Sequence, residues 1–97
     1  MVVVGKKWDR GAEYVGRPSP LGNPFVMNGE RTRDEVCDKY EAWLRSKIAT
    51  KDPAVCAELN RLYKIAKQRD LILGCYCAPK RCHAESIKKV IDAALLR

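Results

Sequence analysis

The chain has 97 residues, 46% of them hydrophobic and 32% charged, and its 19 Lys and Arg against 12 Asp and Glu leave a net charge of +7. That size makes one domain, residues 1–97, with a core large enough to fold without staples. The composition excludes a disordered, collagen-like or bilayer-spanning chain. The opening MVVVGKK has too short an apolar run for a signal peptide, so the expected location is the cytoplasm, where thiols stay reduced. Five cysteines is an odd number, and clustered thiols there point to metal or reactivity before disulfides.

In chain order, Met1–Val4 is an apolar β-branched run that reads as a buried strand, and AEYVG offers a second, shorter one. GRPSPLGNPF then breaks all periodicity with prolines and glycines and reads as an ordered loop. TRDEVCDKYEAWLRSKI is a helix. Thr32 and Glu35 form a capping box, and Val36, Tyr40, Trp43, Leu44 and Ile48 recur on one face. Asp52-Pro53 starts a second helix with the stripe Val55, Leu59, Leu62, Tyr63 and Ala66. DLILGCYC is the most strand-like run, and AESIKKVIDAALLR closes as a helix with Ile87, Val90, Ile91, Ala94 and Leu95 inward. This order predicts an α/β fold, a small single-domain Rossmann-like, mostly parallel sheet flanked by about three helices. Ligands bind such sheets at the carboxyl ends of the strands, which is where GCYC would sit.

GCYCAPKRCH, Gly74–His83, holds three of the five cysteines and the only histidine. Cys75, Cys77, Cys82 and His83 match a Cys₃His zinc set in type. The Cys-x-Cys spacing and the adjacency of Cys82 and His83 suit one ion less well than paired Cys-x-x-Cys knuckles do. Alternatively, Cys82 sits at a helix start beside Lys80 and Arg81, where the helix dipole favours thiolate and the same amides would hold an anion. The bland reading makes Cys75, Cys77 and Cys82 small buried hydrophobes and His83 an N-cap. Haem attachment is excluded by the Cys-x-x-x-x-Cys-His spacing. Cys37 and Cys56 fall within helices and read as ordinary thiols.

In the loop, Gly16 and Gly22 allow close backbone approach while the prolines hold its path. Arg17 offers a fork for phosphate or carboxylate, and Ser19 and Asn23 offer neutral hydrogen bonds. The alternative is a plain crossover turn. The net charge admits nucleic acid, an anionic small molecule or mere solubility, since the basic residues (Lys6, Arg17, Arg31, Lys64, Arg81, Lys88) form no dense run.

YVGRPSPLGNPF, the tryptophan-bearing YEAWL and LGCYCAPKRCHAESI together resemble the phage and bacterial family catalogued as domain of unknown function 4326, over about Tyr14 to Ile91. That resemblance implies membership and no activity. The Cys-His run is also similar to a second uncharacterised family, in which a strand ending in Cys leads to Cys-His-Arg at a helix start. This implies a Rossmann-like sheet with the cluster at its ligand edge, although Ala84 stands here in place of the arginine.

The leading expectation is therefore a polar pocket for a nucleotide, nucleoside derivative or other phosphate-bearing molecule. Arg17, Ser19, Gly22, Asn23, Cys75 and Cys77 would bind it, and Cys82 and His83 would supply nucleophile or acid–base chemistry. The alternative is a non-catalytic module for nucleic acid or protein, zinc-stabilised through Cys75, Cys77, Cys82 and His83, such as a phage protein acting on a factor in the host cytoplasm. No membrane partner is expected.

Overall fold

A computed structural model describes residues 1–25, 32–75 and 83–97. Its elements are β1 (Val2–Lys6), β2 (Glu13–Tyr14), α1 (Arg33–Ala49), α2 (Pro53–Gln68), β3 (Leu71–Cys75) and α3 (Ala84–Leu95). The strands form one parallel sheet in the order β1-β3-β2, with Val2 opposite Leu71 and Tyr14 opposite Gly74. The helix starts follow their local chemistry. Thr32 Oγ1 accepts from the Glu35 amide at 3.1 Å, and Asp52 Oδ2 accepts from the Val55 amide at 3.0 Å ahead of Pro53. Among the described residues no helix is long and apolar enough to cross a membrane.

Alternation along the strands divides the sheet into two unlike faces. Val2, Leu71, Leu73 and Cys75 enter a single core with Tyr40 and Leu44 of α1, Leu59, Leu62 and Ala66 of α2, and Ile87 and Ile91 of α3. All three helices thus bury their apolar stripes against the same side. On the other side Val3 is 37% exposed and Ile72 half-buried, followed by the register partners Gly5 and Gly74.

That pair of glycines has a physical cause. β1 and β2 lie on opposite sides of β3, so the short connection at residues 7–12 must cross β3 and return to its middle, where Glu13 pairs with Leu73. It does so in contact with the sheet. A Cβ on Gly74 would lie 3.1 Å from both the Ala12 Cβ and the Lys7 Cα, and one on Gly5 would lie 2.6 Å from Asp9 Oδ2. Asp9 pins the crossing by accepting from the Lys6 amide at 2.8 Å and donating its own amide to the Lys6 carbonyl at 3.0 Å.

Gly74→Ala therefore meets backbone that cannot give way cheaply. A loss of about 1–3 kcal/mol is expected, read as a lower urea midpoint with an unchanged m-value. An unchanged midpoint would show that the crossing does not rest on this glycine.

Candidate functional site at the carboxyl edge of the sheet

Because all three strands are parallel, Lys6, Tyr14 and Cys75 end at one edge. The flanking strands grip the end of β3 there, as the Lys7 amide donates to the Cys75 carbonyl and the Val15 amide to the Gly74 carbonyl, both at 3.1 Å. The glycine-proline loop leaves β2 at this point and folds into two successive turns. The Ser19 amide donates to Gly16 O and the Gly22 amide to Ser19 O, each at 2.8 Å. Ser19 Oγ accepts from the Leu21 amide at 3.2 Å, and Asn23 Oδ1 accepts from the Phe25 amide at 2.9 Å. Gly22 is required by proximity, since a Cβ there would sit 3.0 Å from the Arg17 backbone and the Ser19 carbonyl. At Gly16 the Tyr14 ring folds across the position a Cβ would take.

Two buried side chains tie this loop to the helices. Tyr40 of α1 donates its hydroxyl to the Leu21 carbonyl at 2.7 Å, and His83, just before α3, places Nε2 2.8 Å from the Val15 carbonyl. The two rings meet edge-on with centroids 5.0 Å apart. A carbonyl can only accept, so Nε2 carries the proton and neutral His83 keeps its lone pair on Nδ1. Burial pushes the imidazole below its ordinary pKa. Its hydrogen bond to Val15 opposes that shift, and the nearby positive charge of Arg17 adds to it.

Arg17 is exposed, as expected of a ligand fork, but it is also held: Nε donates to Asn23 O at 2.7 Å and Nη2 to Phe25 O at 3.3 Å. Neither contact cancels its charge, and among the described residues no carboxylate pairs with it. Ser19, Gly22 and Asn23 are brought together as expected, with the two side-chain oxygens shaping the loop from within. Cys75 is buried on the helix-covered face of β3. Cys77 and Cys82, with Lys80 and Arg81, lie outside the described residues. Among the described residues no three His, Cys, Asp or Glu side chains converge as a metal set. Cys37 is buried and Cys56 half-buried, as their helical positions implied.

His83 stands at the N-cap position of α3, but it is 7% exposed and its side chain makes no cap to the helix. Its partner lies 68 residues away in sequence, and no local pattern points to it. Tyr40 also does more than fill a stripe. A buried tyrosine must find a partner for its hydroxyl, and that rule was the available signal.

A small parallel α/β domain with a loop-built carboxyl edge is the class these features define. Within it, the chain belongs to the family described as Domain of unknown function (DUF4326), whose model matches residues 4–93. No curated protein and no solved structure matches the chain.

His83 makes the fold sensitive to acid in a window that can be assigned. Its folded pKa is depressed, so the unfolded chain binds more protons below its pKa of about 6.5. Stability is whole above that value and falls as the pH drops, by up to about 1.4 kcal/mol per unit. Urea titrations should show this decline between about pH 7 and pH 5. His83→Gln, which keeps an amide donor for Val15 but cannot titrate, should flatten it. At neutral pH His83→Ala should cost about 1–3 kcal/mol by stranding a buried carbonyl. Equal acid profiles for wild type and His83→Gln would remove this assignment, because the chain has no other histidine.

Proposed function

We propose that the carboxyl edge binds a phosphate-bearing small molecule, of the nucleotide or nucleoside-derivative class, through Arg17. The observation that carries this reading is the state of that guanidinium. Two neutral carbonyls orient it, it is exposed, and no carboxylate of the described residues pairs with it. Two other arginines are held differently. Arg61 is matched by Glu58 at 2.7 Å and Glu13 at 2.8 Å, and Arg69 shares Glu13 at 3.5 Å. An oriented fork that no carboxylate of the described residues compensates suits the planar, bidentate recognition of phosphate. Any acid–base role for His83 passes through Nδ1, because Nε2 is committed to Val15. Cys82, its sequence neighbour, is the thiol that such a role would serve.

One observation favours a second reading. A histidine that ligates metal usually gives its other N–H to a carbonyl or carboxylate, and the Nε2–Val15 bond has that form. It supports a zinc-stabilised module for nucleic acid or protein, with Cys75, Cys77 and Cys82 completing the set.

A thermal-shift screen of nucleotides, sugar phosphates and nucleosides tests the first reading. A ligand at 100 times its Kd stabilises the native state by about 2.7 kcal/mol, a shift of several degrees in a domain this small. Arg17→Ala should abolish that shift with little change in the unliganded melting temperature, and Arg17→Lys should retain part of it. If no phosphate compound moves wild type, the reading is dropped. For zinc, protein purified without chelator should carry about one equivalent and lose stability on chelation. Metal-free protein that is already folded removes the second reading.

A further inference from the structure

The three helices leave a groove between them, with a volume of about 260 Å³ and lining residues from each. Leu59 and Ile91 form its buried floor, and Ile48, Cys56 and Ala94 are half-buried in its walls. Cys56 on α2 and Ala94 on α3 are small side chains, which leaves the space between these helices unfilled. The groove is separate from the carboxyl edge of the sheet. α3 starts at that edge beside His83, and Ala94 lies about 16 Å further along the helix axis.

Two polar residues that line the groove stay exposed, Asn60 and Arg97. Among the described residues no carboxylate pairs with Arg97. Tyr63 lines the groove as well, and Lys67 Nζ stands 5.4 Å from the centre of its ring. An apolar trench bordered by cations and an amide is complementary to a molecule with an apolar tail and an anionic head. A second copy of the chain fits less well, because it would bring the same cations and a net charge of +7 against them. We propose that the groove binds an aliphatic monocarboxylate, its tail on Leu59 and Ile91 and its head at Arg97 and Asn60. At about 30 Å³ for each water-sized group, the space takes a tail of about eight or nine carbons. This site and the one at Arg17 are independent, and neither reading requires the other.

Titration calorimetry of the full chain with hexanoate, octanoate, decanoate and octanol tests the proposal. Affinity should rise about fourfold per added methylene until the groove is full. Octanol keeps the tail without the charge and should bind about two- to fivefold more weakly than octanoate. Arg97→Glu, at an exposed position, should weaken octanoate and leave octanol unchanged. Ala94→Phe, which fills the groove, should abolish binding of both. Saturating octanoate should also slow alkylation of Cys56 by iodoacetamide, followed peptide by peptide in a mass spectrometer. Affinity that is flat with tail length, or Cys56 alkylation that octanoate does not slow, overturns the proposal. So does octanol binding as tightly as octanoate, since the cations would then contribute nothing. Loss of octanoate binding in Arg17→Ala would place the carboxylate at the sheet edge and overturn it too. Dimers in sedimentation velocity that Ala94→Phe dissociates would give the groove to a second copy instead. Should Ala94→Phe fail to fold, the tail-length series, Arg97→Glu and Cys56 alkylation decide the matter alone.

Discussion

An irregular loop can enter a protein core only if its backbone polar groups find partners there. In this domain that constraint falls on two carbonyls, Val15 and Leu21, and the rest of the edge depends on how they are met. Both flanking side chains, Val15 and Leu21, are fully buried. His83 answers the first carbonyl and Tyr40 the second, from segments leading into α3 and within α1. A buried acceptor left unmatched costs about 1–3 kcal/mol, a large fraction of a small domain's stability. The glycine-proline loop and His83 at the start of α3 are therefore tied together, although they stand far apart in the chain.

Local chemistry made much of the fold legible. The caps at Thr32 and Asp52 and the apolar stripes of three helices follow from spacing alone, and β1 and β3 from runs of β-branched and apolar residues. β2 is two residues long, so its weak pattern is what a strand of that length can offer. What local reasoning could not reach was the use of individual polar groups. Ser19 and Asn23 read as ligand donors, but each oxygen meets an amide two residues ahead. Short polar side chains in turns commonly close on their own backbone, and that preference outweighs an inference from residue type. Cys75 read as a ligand-binding or zinc-set thiol, with a small buried hydrophobe as the alternative. Strand alternation, however, sends its side chain to the helix-covered face together with Leu71 and Leu73.

The charge pattern has a comparable split between what composition tells and what geometry adds. A net charge of +7 says nothing about where the field is strongest. Near the start of β2, Glu13 draws in Arg61 and Arg69, and the arrangement raises the Arg61 pKa through its hydrogen bonds to Glu58 and Glu13. Exposed pairs of this kind add little stability. They do neutralise the amino end of the sheet locally. At the opposite edge Arg17 is oriented by carbonyls that carry no net charge. Among the described residues no carboxylate answers the charge of Arg17, a local difference that composition alone does not locate.

Rigidity links that charge to recognition. Prolines at positions 18, 20 and 24 restrict the loop before it folds, two turns close it, and Tyr40 and His83 fasten it to the helices. The ordering cost of the loop is therefore met during folding and is not charged again when a ligand arrives. On the proposed reading, the same arrangement would join anion binding to the state of His83. Protonation would put a second positive charge beside Arg17 and draw solvent toward a buried ring, weakening the strut that positions the loop. An anion seated at Arg17 would offset that added charge and oppose the loss. On the proposed reading, acid sensitivity and anion binding at Arg17 would then be two measures of one coupling, transmitted through the hydrogen bond between His83 and Val15.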